Sequence, residues 1–292
     1  MSKKTLAPLS RRTVLASAAF AAFASVGVHA ATALPAPPAT PAAIANQNYR
    51  LVKDWSFGVN ITTLEQMRSE FFTRYVYANG TLDRLNDEWE VYRDNNNHEI
   101  TPSGLDLVAR VPGELAVGKI ESGMLRSKWS GKYGYIEGRM KVPPGRGMWP
   151  AFWLNPQDAK WPPEIDIMEI VNNGRDTTRN SFHILHSGDG KSYPPNFTVL
   201  NQWASYWPGF DYAADYHTFA VLWEPQRVRH YVDNKLVVDQ RFDWLHRDWT
   251  DGGPAHLLVN LAVGGSWPGP PQTKADFPAR MSIQYLRIWQ KP

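Results

Sequence analysis

Over most of the chain, apolar and polar positions alternate with a period of two, the repeat of a strand with one buried face. Leu105, Leu107 and Ala109 interleave with Asp106, Val108 and Arg110, and Tyr135, Glu137, Arg139 and Lys141 interleave with Ile136, Gly138, Met140 and Val142. Residues 227–232 and 235–240 flank Asp233-Asn234, which predicts a hairpin with a two-residue turn. Residues 282–289 alternate again. A helical stretch is predicted early: Thr62-Thr63-Leu64-Glu65-Gln66 has the spacing of a capping box, and Leu64, Met67, Phe71 and Tyr75 form an approximate helical stripe. Turn formers punctuate the rest, at Pro143-Pro144-Gly145, Gly252-Gly253-Pro254 and Pro268-Gly269-Pro270-Pro271. Neither a βαβ rhythm nor a fixed-period repeat is present. Many short antiparallel strands joined by turn-rich links predict an all-β domain, a sandwich of two sheets.

The first residues depart from this pattern. Ser10-Arg11-Arg12-Thr13-Val14-Leu15 has twin-arginine form, and an alanine-rich apolar run continues to about Val28. That run is shorter than the roughly 20 residues needed to cross a bilayer. Small residues at Val28-His29-Ala30 and Ala31-Thr32-Ala33 offer cleavage points. Residues 1–33 are therefore expected to be an export signal, removed to leave a protein of the bacterial periplasm or exterior with no membrane contact. Pro35, Pro37, Pro38 and Pro41 among alanines predict an extended spacer over 34–48. Residues 49–292 are expected to form a single domain.

Composition narrows the chemistry. Without cysteine, the 292-residue chain has no disulfides, thiolate metal sites or thiol nucleophiles. Its net charge of +3 comes from the leader. Residues 1–30 hold Lys3, Lys4, Arg11 and Arg12 and no acid, so of 31 cations 27 remain against 28 acids. That removes the electrostatic case for a nucleic-acid partner. The 13 tryptophans and 12 tyrosines suit either a core or the floor of a sugar-binding groove.

The candidate chemistry lies in Pro163-Glu164-Ile165-Asp166-Ile167-Met168-Glu169-Ile170. In a regular strand Glu164 and Asp166 share a face and Glu169 points to the other. One bulged residue near Ile167-Met168 would return Glu169 to the face of its partners. A purely structural strand gains nothing from gathering three like charges, which favours the bulged reading. Two glutamates about four pleat steps apart, or roughly 13 Å between Cα atoms at about 3.3 Å per step, can lean their carboxyls to about 5–6 Å. That separation suits a retaining glycosidase, with Asp166 between them limiting how many of the three ionise. Clustered acids also serve calcium or magnesium sites, but the intervening apolar residues and the missing Asp/Asn/Gly loop argue against that use.

These residues resemble glycoside hydrolase family 16. Glu164-x-Asp166-x-Met168-Glu169 is similar to its active-site signature in the laminarinase-type form with one extra residue. Gly134–Pro143, Gly147–Leu154, His217–Trp223, Tyr231–Asp233 and Asn260–Gly269 follow the family's other segments in order. The resemblance implies a β-jelly-roll with a substrate groove across its concave sheet, and retaining hydrolysis of a β-linked polysaccharide. By position it implies Glu164 as nucleophile, Glu169 as general acid/base and Asp166 as the assisting carboxylate. Physical spacing alone does not order the two glutamates.

Supporting residues are assigned by pattern. Trp149 and Trp153 are candidates for stacking on sugar faces, with Trp149, beside Gly147 and Pro150, the better placed. Asn260 shares a strand face with Leu258 and Ala262 and fits a groove floor, while Trp267 sits on a glycine- and proline-flanked loop suited to stacking. His186 matches a family residue near the cleft, whereas His183, on the opposite strand face, reads as core. Trp161, Trp203 and Trp207 can rim the groove, but spacing does not decide it. No metal is assigned to the site and no cofactor is required, with a structural calcium ion left open. The expected protein is a monomeric, exported endo-β-glucanase acting on β-1,3-glucan. The alternatives are mixed-linkage glucan, agar or carrageenan activity, transglycosylation, or a non-catalytic carbohydrate-binding sandwich.

Overall fold

The Asp233-Asn234 turn shows how local chemistry sets this architecture. Both residues adopt positive φ, 47° and 64°, as a primed two-residue turn requires, and Val232 pairs with Lys235 across it. A computed structural model describes residues 38–172, 180–185 and 201–292. Its strands are β1 (Arg50–Ser56), β2 (Phe71–Phe72), β3 (Glu90–Tyr92), β4 (His98–Thr101), β5 (Gly104–Ala109), β6 (Ile120–Ser122), β7 (Met124–Gly131), β8 (Gly134–Lys141) and β9 (Met148–Pro156). They continue as β10 (Glu164–Glu169), β11 (Asn180–Leu185), β12 (Asn201–Tyr206), β13 (His217–Glu224), β14 (Arg227–Val232), β15 (Lys235–Arg241), β16 (Ala255–Val263) and β17 (Ala279–Gln290).

Two antiparallel sheets carry the fold. One runs β15-β14-β13-β8-β17-β5-β4, with β1 also paired to β17; the other runs β12-β11-β10-β9-β16-β7-β2. Short β3 and β6 pair in parallel as a separate ribbon. The predicted sandwich is therefore present, and its core lies between the sheets. Leu257, Val259, Leu261 and Val263 of β16 meet Ile136, Val221, Leu286 and Ile288 of the facing sheet in one buried cluster. All nine residues of β16 are buried, because its other face is also covered: Leu258 packs with Tyr75, Tyr92, Met124, Ala151 and Trp153. That second covered face, not the inter-sheet core, bears the candidate site.

Two local expectations need correction. The capping box forms, with Thr63 accepting from the Gln66 amide and the Gln66 side chain accepting from Thr63, but the helix ends at Glu70. Phe71 turns extended and pairs with Ser127, so tertiary pairing overrides the stripe that reached to Tyr75. The proline-rich 34–48 stretch is not wholly a spacer. Ala42–Ile44 forms a 3-10 turn, and Ile44, 1% exposed, packs among Tyr135, Ala220, Leu222, Tyr231 and Trp289. Thr40–Pro292 makes one compact unit.

Candidate active site

The register between β10 and β9 decides the orientation of the three acids. Asp166 lies opposite Trp153 and Met168 opposite Phe152, so β10 advances two residues while β9 advances one. Ile167 is the extra residue. Ile167 and Met168 both point into the inter-sheet core beside Ile165 and Ile170, and Glu169 emerges opposite Ala151 on the same side as Asp166 opposite Trp153. Two rows follow across the sheet: Asp166–Trp153–Leu258–Arg126 and Glu169–Ala151–Asn260–Met124. Beneath the bulge, His230 of β14 is fully buried and bonds the Asp166 backbone, while burial pushes its imidazole down to about 3.

Glu164, Asp166 and Glu169 line one cavity of about 520 Å³ with Trp149, Trp153, Trp161, Asn260 and Trp267. Their surroundings differ. Asp166 is 3% exposed, and burial, then the charges of Glu164 and Glu169, raise its carboxyl well above the usual range. A side-chain hydrogen bond with Glu164 acts in the same direction. Glu164 also accepts from the Trp161 indole at 2.7 Å. Glu169, 5% exposed, accepts from the Trp149 indole at 3.0 Å. The nucleophile candidate thus meets both the Trp161 indole and the Asp166 carboxyl, and the second glutamate is held separately, five positions along the strand.

The tryptophans and Asn260 reach the cavity, but through bonds that spacing did not reveal. Trp149 presents its edge to Glu169 and meets Trp267 ring to ring at 4.9 Å and 84°. Trp153 is 6% exposed and donates to Asn260 Oδ1 at 2.7 Å, while Asn260 Nδ2 donates to the Tyr92 hydroxyl at 2.9 Å. Asn260 is therefore a buried brace for Trp153. His186 lies outside the described residues.

Other wall residues were missed by sequence reasoning. Tyr75, Tyr77, Asn86, Glu88 and Asn155 line the cavity, with Asn155 donating to the Tyr77 hydroxyl at 2.9 Å. Asn155 comes from β9 and Tyr75 from the end of the predicted helical stripe, but Tyr77, Asn86 and Glu88 come from the chain between that stripe and β3, where no period marks an inward face; the usable signal was the density of acids beside aromatics in Asn86-Asp87-Glu88-Trp89-Glu90. Burial raises both the Glu88 and Glu90 carboxyls. The same segment fastens the loop that carries Trp267. Glu90 accepts from the Val263 amide at 2.7 Å and Asp87 from the Ser266 amide at 2.9 Å. Gly264 has φ of +77° and lies where a Cβ would come within 2.5 Å of Trp89, so only glycine lets the loop close.

The family model described as glycosyl hydrolases family 16 matches residues 76–287. The chain belongs to that family. Among its relatives, the "Beta-glucanase" of Rhodothermus marinus is 34% identical over 181 residues, covering 56% of this chain and 60% of the relative. The "Keratan-sulfate endo-1,4-beta-galactosidase" of Sphingobacterium multivorum is 30% identical over 237 residues, covering 75% of this chain and 52% of the relative. The chain thus spans little more than half the length of these curated relatives. Among solved structures, the laminarinase catalytic domain of Thermotoga maritima superposes with a TM-score of 0.65 at 29% identity, covering 84% of this chain and 99% of that one. The family-16 relatives are jelly rolls, and the two packed antiparallel sheets here have that architecture.

Among the described residues, no three His, Asp or Glu side chains are placed to hold a metal ion. No helix among them is long and apolar enough to cross a membrane.

Proposed function

We propose that this family-16 hydrolase is an exported, retaining endo-β-glucanase that cleaves β-1,3-glucan. The observation that carries the mechanism is the bulge at Ile167, which gives Glu164, Asp166 and Glu169 a common face and a common cavity. Glu164 attacks the anomeric carbon, its carboxylate oriented by the neutral Asp166 and by Trp161. Glu169, aimed by Trp149, protonates the departing glycosidic oxygen and then takes a proton from the water that releases the glycosyl-enzyme. The indoles of Trp149, Trp153, Trp161 and Trp267 offer apolar faces to pyranose C–H groups.

Substrate class follows from relatives and from charge. The Rhodothermus relative is named a beta-glucanase and the Thermotoga structure a laminarinase, whereas the Sphingobacterium relative is named for keratan sulfate, a sulfated chain. The described residues lining this cavity include Glu88, Glu164, Asp166 and Glu169 and neither Lys nor Arg. A sulfated chain would find no cation in that lining to pair with, which supports the neutral glucan. Export rests on the twin-arginine pattern at Arg11-Arg12 and its apolar continuation.

The test is reducing-sugar release from laminarin, lichenan, agarose, carrageenan, keratan sulfate and xyloglucan. Laminarin is expected to be the preferred substrate, with Glu164→Gln below about a hundredth of the parent rate, the scale of losing a covalent nucleophile. Release from a sulfated galactan without release from laminarin overturns the substrate assignment. Binding of glucan with no release at all overturns the enzymatic one.

A further inference from the structure

The segment that delivers Glu164 to the cavity is held from a part of the fold with no place in the chemistry. We propose that His246 is a positioning residue, clasping the loop 158–163 so that Trp161 keeps its indole N–H on the Glu164 carboxylate. The inference rests on the nucleophile role proposed for Glu164.

His246 lies between β15 and β16 and is 4% exposed. Its Nδ1 donates to the Pro162 carbonyl at 3.0 Å, while Nε2 faces the Asp158 carboxylate at 3.2 Å. The two partners flank Trp161, one residue after it and three before. The imidazole is itself immobilised by its own turn: the His246 amide donates to the Thr250 carbonyl at 2.8 Å, and the Trp249 amide donates back to the His246 carbonyl at 2.9 Å. The adjacent Arg247 places its guanidinium 5.4 Å from the centre of the Trp161 ring, a cation over the indole face. Next to this turn, Gly252 lies where a Cβ would come within 2.8 Å of Pro163 and 2.6 Å of the Trp244 indole nitrogen, so the end of the loop is also closely packed.

Trp161 needs such support because burial does not provide it. Trp161 is 40% exposed, against 6% for Trp153, so burial restrains it far less. Yet its N–H donates to Glu164 Oε2 at 2.7 Å and so helps orient the nucleophile. An exposed side chain makes a well-aligned bond when its backbone is fixed on both sides, and His246 fixes both sides at once. Loss of the clasp therefore misaligns the reacting carboxylate without touching substrate, an effect that falls on turnover rather than on binding.

Two readouts separate this from a merely structural role. In the free, full-length protein, amide hydrogen exchange at 158–161 is expected to quicken about tenfold in His246→Phe, which keeps a ring in the site but donates no bond, while exchange at 149–154 stays unchanged. In kinetics on laminarin, His246→Phe is expected to lower kcat about tenfold with KM within about twofold, and to add less than about twofold in a Trp161→Phe background, since it acts through that indole. His246→Gln, which retains one donor, should fall between and serves in its place if the phenylalanine variant fails to fold. Unchanged exchange at 158–161 overturns the proposal. So does an equal kcat loss in the two backgrounds. Laminarin turnover by the unsubstituted protein tests the glucanase reading separately, and the exchange measurement does not depend on it.

Discussion

Replacing Asp166 tests whether its proton, and not its charge, is what the site uses. The side chain is 3% exposed and its carboxyl is raised by burial and by two flanking glutamates, which is why the proposed mechanism uses it as a neutral donor to Glu164. Asp166→Asn keeps a donor of nearly the same shape in the same place. Asp166→Ala removes it. A hydrogen bond to a charged acceptor contributes about 1.5–3 kcal/mol, and each 1.4 kcal/mol is tenfold in rate, so the alanine variant should lose roughly ten- to a hundredfold in kcat. The carboxyl lies between the two glutamates on the strand, so KM should move little. Steady-state kinetics on laminarin with both variants, alongside circular dichroism to establish folding, measure the difference. Asparagine should retain most of the turnover that alanine loses. If asparagine is as damaging as alanine, Asp166 works as an anion and the donor argument is wrong.

Two further outcomes follow from buried polar groups. Asn260→Leu strands the buried Trp153 indole N–H and takes one donor from the Tyr92 hydroxyl, which keeps its Tyr75 partner; the stranded group should cost about 1–3 kcal/mol in chemical denaturation; a loss under about 0.5 kcal/mol contradicts the brace. Because the folded-state carboxyl of Asp166 is raised above its unfolded value, its contribution to stability is complete below the usual carboxylate range and is lost as pH rises through the folded value. Thermal melts should accordingly show Asp166→Asn gaining on the parent between pH 4 and pH 8, and a constant or shrinking difference would refute that sign.

Much of this arrangement was legible before any coordinates. Alternation placed the strands, Asp233-Asn234 placed a turn, and three acids in six residues placed the chemistry. The face of Glu169 was not legible, because period two alone puts it opposite Asp166; only pairing of Asp166 with Trp153 and of Met168 with Phe152 shows that Ile167 is the extra residue. The tryptophans were seen as flat apolar faces, yet Trp149 and Trp161 also donate to Glu169 and Glu164, contacts fixed by tertiary approach and invisible in spacing. Phe71 and Ile44 fail for a related reason. Phe71 leaves the helix because β7 offers it a partner, and Ile44 leaves a proline-rich spacer because the sheet bearing Tyr135 and Trp289 offers it a pocket. The cavity wall from Tyr77 to Glu88 carries no period, and only the density of acids beside aromatics over 86–90 marked it.

The most direct test of the account is the anomeric configuration of the first product. Proton NMR of laminarin during early hydrolysis, before mutarotation, should show the new reducing end appearing as the β-anomer and converting only later, as a double displacement at Glu164 requires. Initial appearance of the α-anomer would mean a single displacement by water and would contradict the roles assigned to Glu164 and Glu169.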